Sequence, residues 1–153
     1  MENRDLFAIV KARGQLMETA SRSADAAEGD SGPSGMMAVL GLGLEDARKV
    51  LEELQGEGAK IYLANQSSPI QVVLAGTQRG LQRAQELFEK AGAARVVPLK
   101  VSGPFHSPLL DQASRGLREV LRGYRFADPR IPVYANITGK AIGSGEEARE
   151  LCV

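Results

Sequence analysis

The sequence predicts an α/β chain of the α+β kind, organised around one split βαβ unit. Three observations predict it. Between 35 and 101, four short apolar runs of strand length alternate with two stretches of helical periodicity, in the order β-α-β-β-α-β. Further segments of helical periodicity flank that block on both sides. The 153 residues suit one domain of ordinary size, enough to bury a core.

The elements follow in order. Asp5 is placed to cap a helix running to about Ala20, with Leu6, Ile9, Val10, Leu16 and Met17 on one face. The small, polar, glycine-rich stretch from Ala20 to Gly35 reads as a linker. It contains Gly29-Asp30-Ser31-Gly32, which resembles the nucleophile segment of a chymotrypsin-like protease. That is a decoy, because no histidine precedes the serine. Met36 to Leu40 is the first strand, and Glu45 to Leu54 a helix with Ala47, Val50, Leu51 and Leu54 facing one way. Gln55 to Ala59 breaks it. Ile61–Asn65 and Ile70–Ala75 read as a hairpin turned by Gln66-Ser-Ser-Pro69. Gly76 and Thr77 open a helix to about Ala91, with Leu81, Ala84, Leu87 and Phe88 inward and Gly92 as its stop. Ala94 to Val101 is the fourth strand, whose apolar run reads as buried. This order is the ferredoxin-like arrangement, and right-handed crossovers put both helices on one face of an antiparallel sheet. Beyond it come a helix from Leu109 to about Arg122, a short strand Val133–Asn136, a turn at Ile137-Thr-Gly139, and an uncapped helix from Glu146. On this reading the chain starts and stops inside elements, as a fragment of a longer protein does.

Composition excludes several functions. Lysine plus arginine equals aspartate plus glutamate, at 19 each, so nothing pulls the chain toward nucleic acid or an acidic membrane. The one cysteine, Cys152, excludes a disulfide framework. Neither Cys152 nor His106 has partners at metal-ligand spacing, so no metal is expected. No apolar run approaches membrane-spanning length, and Met-Glu-Asn-Arg-Asp is no signal peptide. A cytoplasmic setting fits, or a mitochondrial or plastid equivalent.

Two side chains stand out. The only histidine, His106, lies in Val101-Ser-Gly-Pro-Phe-His-Ser-Pro-Leu-Leu110, bracketed by Pro104 and Pro108 after Gly103. A lone imidazole on a stiff strand-to-helix turn is either a working group or one that merely caps a helix. Arg13 falls in the middle of the first helix's apolar face, with Gly14 beside it. A guanidinium there needs an anionic partner or a route to water, as a group snorkelling from the stripe's edge would have.

Four blocks taken together are specific. Lys11-Ala-Arg-Gly-Gln-Leu-Met17, Asn65-Gln-Ser-Ser-Pro-Ile-Gln-Val-Val-Leu-Ala-Gly76, the His106 block and Ile131-Pro-Val-Tyr-Ala-Asn-Ile-Thr-Gly139 resemble malonyl-CoA:acyl-carrier-protein transacylases and the acyltransferase domains of polyketide synthases. The resemblance implies a ferredoxin-like subdomain inserted in an α/β-hydrolase-like acyltransferase subdomain. It divides the chain into 1–34 (helix and linker of the large subdomain), 35–101 (the insert) and 102–153 (the return segment). It implies that His106 deprotonates a nucleophilic serine and reprotonates the departing thiolate, and that Arg13 grips the malonyl carboxylate. It implies that Phe105 is a pocket residue favouring malonyl over methylmalonyl, and that Asn65, at a turn, either braces the site or is a plain turn residue. Malonyl-CoA and acyl carrier protein are the implied partners, with no cofactor beyond the coenzyme A thioester itself. The family's Gly-x-Ser-x-Gly elbow is absent from the sequence, so the chain alone is expected to be inactive. A non-enzymatic ferredoxin-like binding or regulatory module is the alternative.

Overall fold

A computed structural model describes residues 3–29 and 32–153. The elements are α1 (Asn3–Glu28), β1 (Gly35–Leu40), α2 (Leu44–Gly56), β2 (Ile61–Ser68), β3 (Gln71–Gly76), α3 (Gln78–Lys90), β4 (Arg95–Pro98), a single 3-10 turn (Pro108–Leu110), α4 (Asp111–Arg122) and α5 (Gly145–Glu150). They form two compact units, 17–111 and 1–16 with 112–153.

The larger unit holds the sheet, in the order β2-β3-β1-β4 with every pair antiparallel. Successive residues of a strand point to opposite faces. On one face Met37, Val39, Val72 and Leu74 pack with Ala47, Leu51 and Leu54 of α2 and Ala84 and Phe88 of α3. Both helices therefore lie on the same side, as the crossover rule requires. Thr77 caps α3 by accepting from the Gly80 N–H at 3.3 Å, and Gly92 follows it at φ +90°. The other face presents Met36, Ala38, Val73 and Ala75.

Six expectations need correcting. The first helix continues to Glu28, where a linker was expected from Ala20. Ala24, Ala26 and Ala27 are strong helix formers, and Ala20 and Ser21 are buried, so packing extends the helix through a segment that looked polar. The Asp25 carboxylate then accepts the Ser34 N–H at 2.7 Å and the Ser34 hydroxyl, tying α1 to the start of β1. Asp30 and Ser31 of the protease-like decoy lie outside the described residues. Asp5 sits within the first turn rather than at the cap, where an acidic side chain still suits the helix dipole. The hairpin turns at Pro69 and Ile70, because β2 runs on to Ser68 with irregularities between Leu63 and Asn65 and between Gln66 and Ser68. β4 is a short edge strand, not a buried one. It ends at Pro98, which has no N–H to donate, and leaves Leu99 and Val101 exposed.

The smaller unit supplies the last two corrections. No strand forms at Val133–Asn136. One isolated bridge joins Tyr134 to Ala141 around Gly139, at φ +64°, and no neighbouring strand extends it. α5 is capped after all: the Ser144 hydroxyl accepts the Glu147 N–H at 3.1 Å. In the same unit Leu16 of α1 sits against Gly116 of α4, close enough that a Cβ on Gly116 would meet Leu16 Cδ2 at 2.6 Å.

Candidate active site

The loop that follows β4 is built on the larger unit's free sheet face. The Phe105 ring packs there against the cluster of Met36, Ala38, Val73 and Ala75, joined by Leu40 and Ala64. Gly103 and Pro104 are buried. Gly103 faces Ser21 of α1, where a Cβ would make ordinary contact, 3.4 Å from the Ser21 oxygen and 3.6 Å from the Phe105 ring. The part of α1 beyond Ala20 thus lies beside the loop.

His106 follows at φ +58°, alone among the described non-glycine residues in the left-handed region. Histidine is enriched there relative to bulkier residues, but the conformation is still strained. The loop is held at both ends of that residue. The Phe105 N–H donates to the Gly103 carbonyl at 3.0 Å, and the Ser107 hydroxyl donates to the Pro104 carbonyl at 2.6 Å. The Leu110 N–H donates back to the Ser107 carbonyl at 3.1 Å and closes the 3-10 turn. The result is an exposed imidazole on a buried, hydrogen-bonded base. An imidazole so exposed has the chemistry to accept and return a proton.

The other predicted residues fall as follows. Asn65 is not at a turn. It lies inside β2 opposite Val73, exposed, and its amide donates to the Ser67 hydroxyl at 3.1 Å. Its neighbour Ala64 belongs to the Phe105 cluster. Arg13 belongs to the smaller unit, exposed on α1. The face around it is less buried than its periodicity predicts, since Leu6 and Val10 are exposed and Ile9, Leu16 and Met17 half-buried. Arg13 is exposed on a helix face that is itself exposed or half-buried. Phe105 and His106 are thus brought together by one loop, and Arg13 is carried by the other unit. Sequence reasoning missed Ser21 and Ser107 as neighbours and supports of the loop. A hydroxyl immediately after His106 was the available signal for Ser107.

A separate groove of about 390 Å³ lies between the end of α2 and the start of α3, lined by Glu57, Lys60, Arg79 and Arg83 among others. Arg83 there donates to Glu57 at 3.2 and 3.3 Å and to Glu86 at 3.0 Å. The hydrogen bond to Glu57, reinforced by Glu86, raises its pKa above the ordinary arginine value. None of the predicted site residues lines this groove. Among the described residues no three His, Cys, Asp or Glu side chains group as metal ligands.

The chain matches the malonyl CoA-acyl carrier protein transacylase of Bacillus subtilis at 34% identity over 147 residues, 96% of its own length and 44% of the relative's. A malonyl CoA-acyl carrier protein transacylase of Haemophilus influenzae matches at 33% identity over 100% of this chain and 46% of the relative, and the polyketide biosynthesis protein ThaF of Burkholderia thailandensis at 36% over 96% of this chain and 12% of the relative. No family model matches the chain. Among solved structures, the acyl-carrier-protein S-malonyltransferase of Burkholderia pseudomallei is 36% identical with a TM-score of 0.75, over 97% of this chain and 45% of that one. A malonyl-transacylase solved with its type II polyketide acyl-carrier protein is 33% identical with a TM-score of 0.77, over 94% of this chain and 44% of that one. The chain therefore spans less than half the length of the transacylases it matches. No helix among the described residues is long and apolar enough to cross a membrane.

Proposed function

We propose that this chain is the histidine- and arginine-bearing part of a malonyl-CoA:acyl-carrier-protein S-malonyltransferase serving fatty acid synthesis in the cytoplasm. The observation that carries the reading is the exposed imidazole of His106, set on a strained, buried-based loop. In the proposed reaction a serine hydroxyl attacks the malonyl thioester carbonyl while His106 takes its proton. The C–S bond breaks, and the proton passes to the departing coenzyme A thiolate. The phosphopantetheine thiol of acyl carrier protein then attacks the acyl-serine by the reverse path. Arg13 holds the free malonyl carboxylate, because a guanidinium can bind both oxygens with parallel hydrogen bonds and stays charged at any working pH. Phe105 leaves little room beside the acyl α-carbon, a discrimination against a methyl branch on the order of 1–3 kcal/mol. Asn65 contributes from β2, as a brace next to the Phe105 cluster rather than as a turn residue. The division at 1–34, 35–101 and 102–153, with a ferredoxin-like middle segment, belongs to the same proposal. The sequence contains no Gly-x-Ser-x-Gly, so the chain by itself has no such nucleophile to acylate.

The test is a chimera in which these residues replace the matching stretch of the Bacillus subtilis transacylase, the remainder of which supplies its own serine. The chimera is expected to transfer malonyl. His106→Ala should cost on the order of 10²–10⁴ in rate, and Arg13→Ala should depress malonyl transfer far more than acetyl transfer. A folded chimera indifferent to His106→Ala would refute the assignment, as would equal losses with both donors for Arg13. The binding-module alternative is favoured by the missing elbow alone, and a folded but inactive chimera would support it.

A further inference from the structure

We infer that Ser107 is a positioning residue: its hydroxyl bond to the Pro104 carbonyl holds His106 in the left-handed conformation that turns the imidazole outward. The value of that position rests on the transacylase reading of His106, but the geometric claim does not.

Four observations carry it. Ser107 occupies the N-cap position of the 3-10 turn, in extended backbone at φ −132° and ψ 159°. A serine there ordinarily accepts a hydrogen bond from the turn ahead of it. This one makes no such bond, and its hydroxyl points backward across His106 to the Pro104 carbonyl at 2.6 Å. Pro104 is fully buried, so its carbonyl has little access to water and needs an internal donor. The bond spans Phe105 and His106, and His106 is the residue with φ +58°. Phe105 cannot take up the strain by rotating away, since its ring is seated on Met36, Ala38, Val73 and Ala75. With Phe105 held by its packing, the Ser107 hydroxyl is the tie on the other side of His106 that selects the sign of its φ.

The chain contains a single histidine, so one imidazole and one histidine backbone signal report the loop without overlap. Isotope-labelled wild type, Ser107→Ala and Ser107→Thr would be compared by NMR through the His106 amide, Cα, Cβ and imidazole shifts. Losing one hydrogen bond should raise the non-left-handed population at His106 roughly fivefold in Ser107→Ala. Ser107→Thr, which keeps the hydroxyl, should retain the wild-type shifts. A role confined to general stability would lower the melting temperature and leave the His106 shifts of the folded protein unmoved, which would overturn the proposal. So would a folded Ser107→Thr that behaves as Ser107→Ala. If Ser107→Ala fails to fold, the wild-type hydroxyl proton decides: slow exchange with water supports the bond, and free exchange overturns it. None of these measurements needs acyl transfer, so a failed chimera and a failed positioning role are separable results.

Discussion

Replacing His106 by glycine should stabilise this protein relative to alanine at the same position, the reverse of the usual order. In ordinary backbone, glycine is the less stable of the two by about 0.5–1 kcal/mol, because it loses more freedom on folding. At φ +58° the comparison changes. Alanine retains the left-handed strain, on the order of 1–2 kcal/mol. Glycine removes that strain and adds about 0.4–1 kcal/mol of unfolded-chain entropy. The histidine side chain is exposed, so either substitution forfeits little buried area. The net advantage of His106→Gly over His106→Ala is then about 0.5–1 kcal/mol, or roughly 2 °C in melting temperature for a chain of this size. Thermal denaturation followed by far-UV circular dichroism would read it. Gly92→Ala is the matched control: it has φ +90° and nothing within 4 Å of an added Cβ, so strain alone should cost about 1 kcal/mol. If the alanine variant at 106 proves as stable as the glycine variant or more so, the left-handed backbone is wrong, and with it the account of how the imidazole is presented.

Two further predictions concern the supports. Asp25→Ala removes the acceptor of both the Ser34 N–H and its hydroxyl, and Ser34 is buried, so a loss of about 2 kcal/mol is expected in urea unfolding. Asp25→Asn should recover part of it, and an unchanged midpoint for the alanine variant would mean the junction is not made in solution. Gly145→Ala would push a Cβ to 2.2 Å from the Phe126 carbonyl oxygen and 2.9 Å from the Ala127 carbonyl carbon, backbone atoms that cannot swing aside. It should cost about 1–3 kcal/mol and raise amide exchange across α5, and wild-type exchange there would contradict the packing.

The sequence by itself determined the central unit. Its period switches between two and 3.6, and Thr77, Gly58 and Gly92 punctuate it, so strand order, helix faces and stops follow from local chemistry. The sequence also picked out His106, because a single imidazole between two prolines is visible without coordinates. What it could not determine was anything that depends on who packs against whom. Ala20 to Glu28 looks like a linker until Ala20 and Ser21 are seen to be buried. Val96 to Val101 looks like a core strand until β4 is placed at the sheet's edge. Asn65 looks like a turn residue until irregular pairing carries β2 past it. Whether a histidine's φ is positive is likewise settled by the burial of Pro104 and the packing of Phe105 on the sheet, even though the hydroxyl that crosses behind it, Ser107, lies only three residues from its partner. Local propensity differs between alternatives by tenths of a kcal/mol, and tertiary contacts worth whole kcal/mol decide between them.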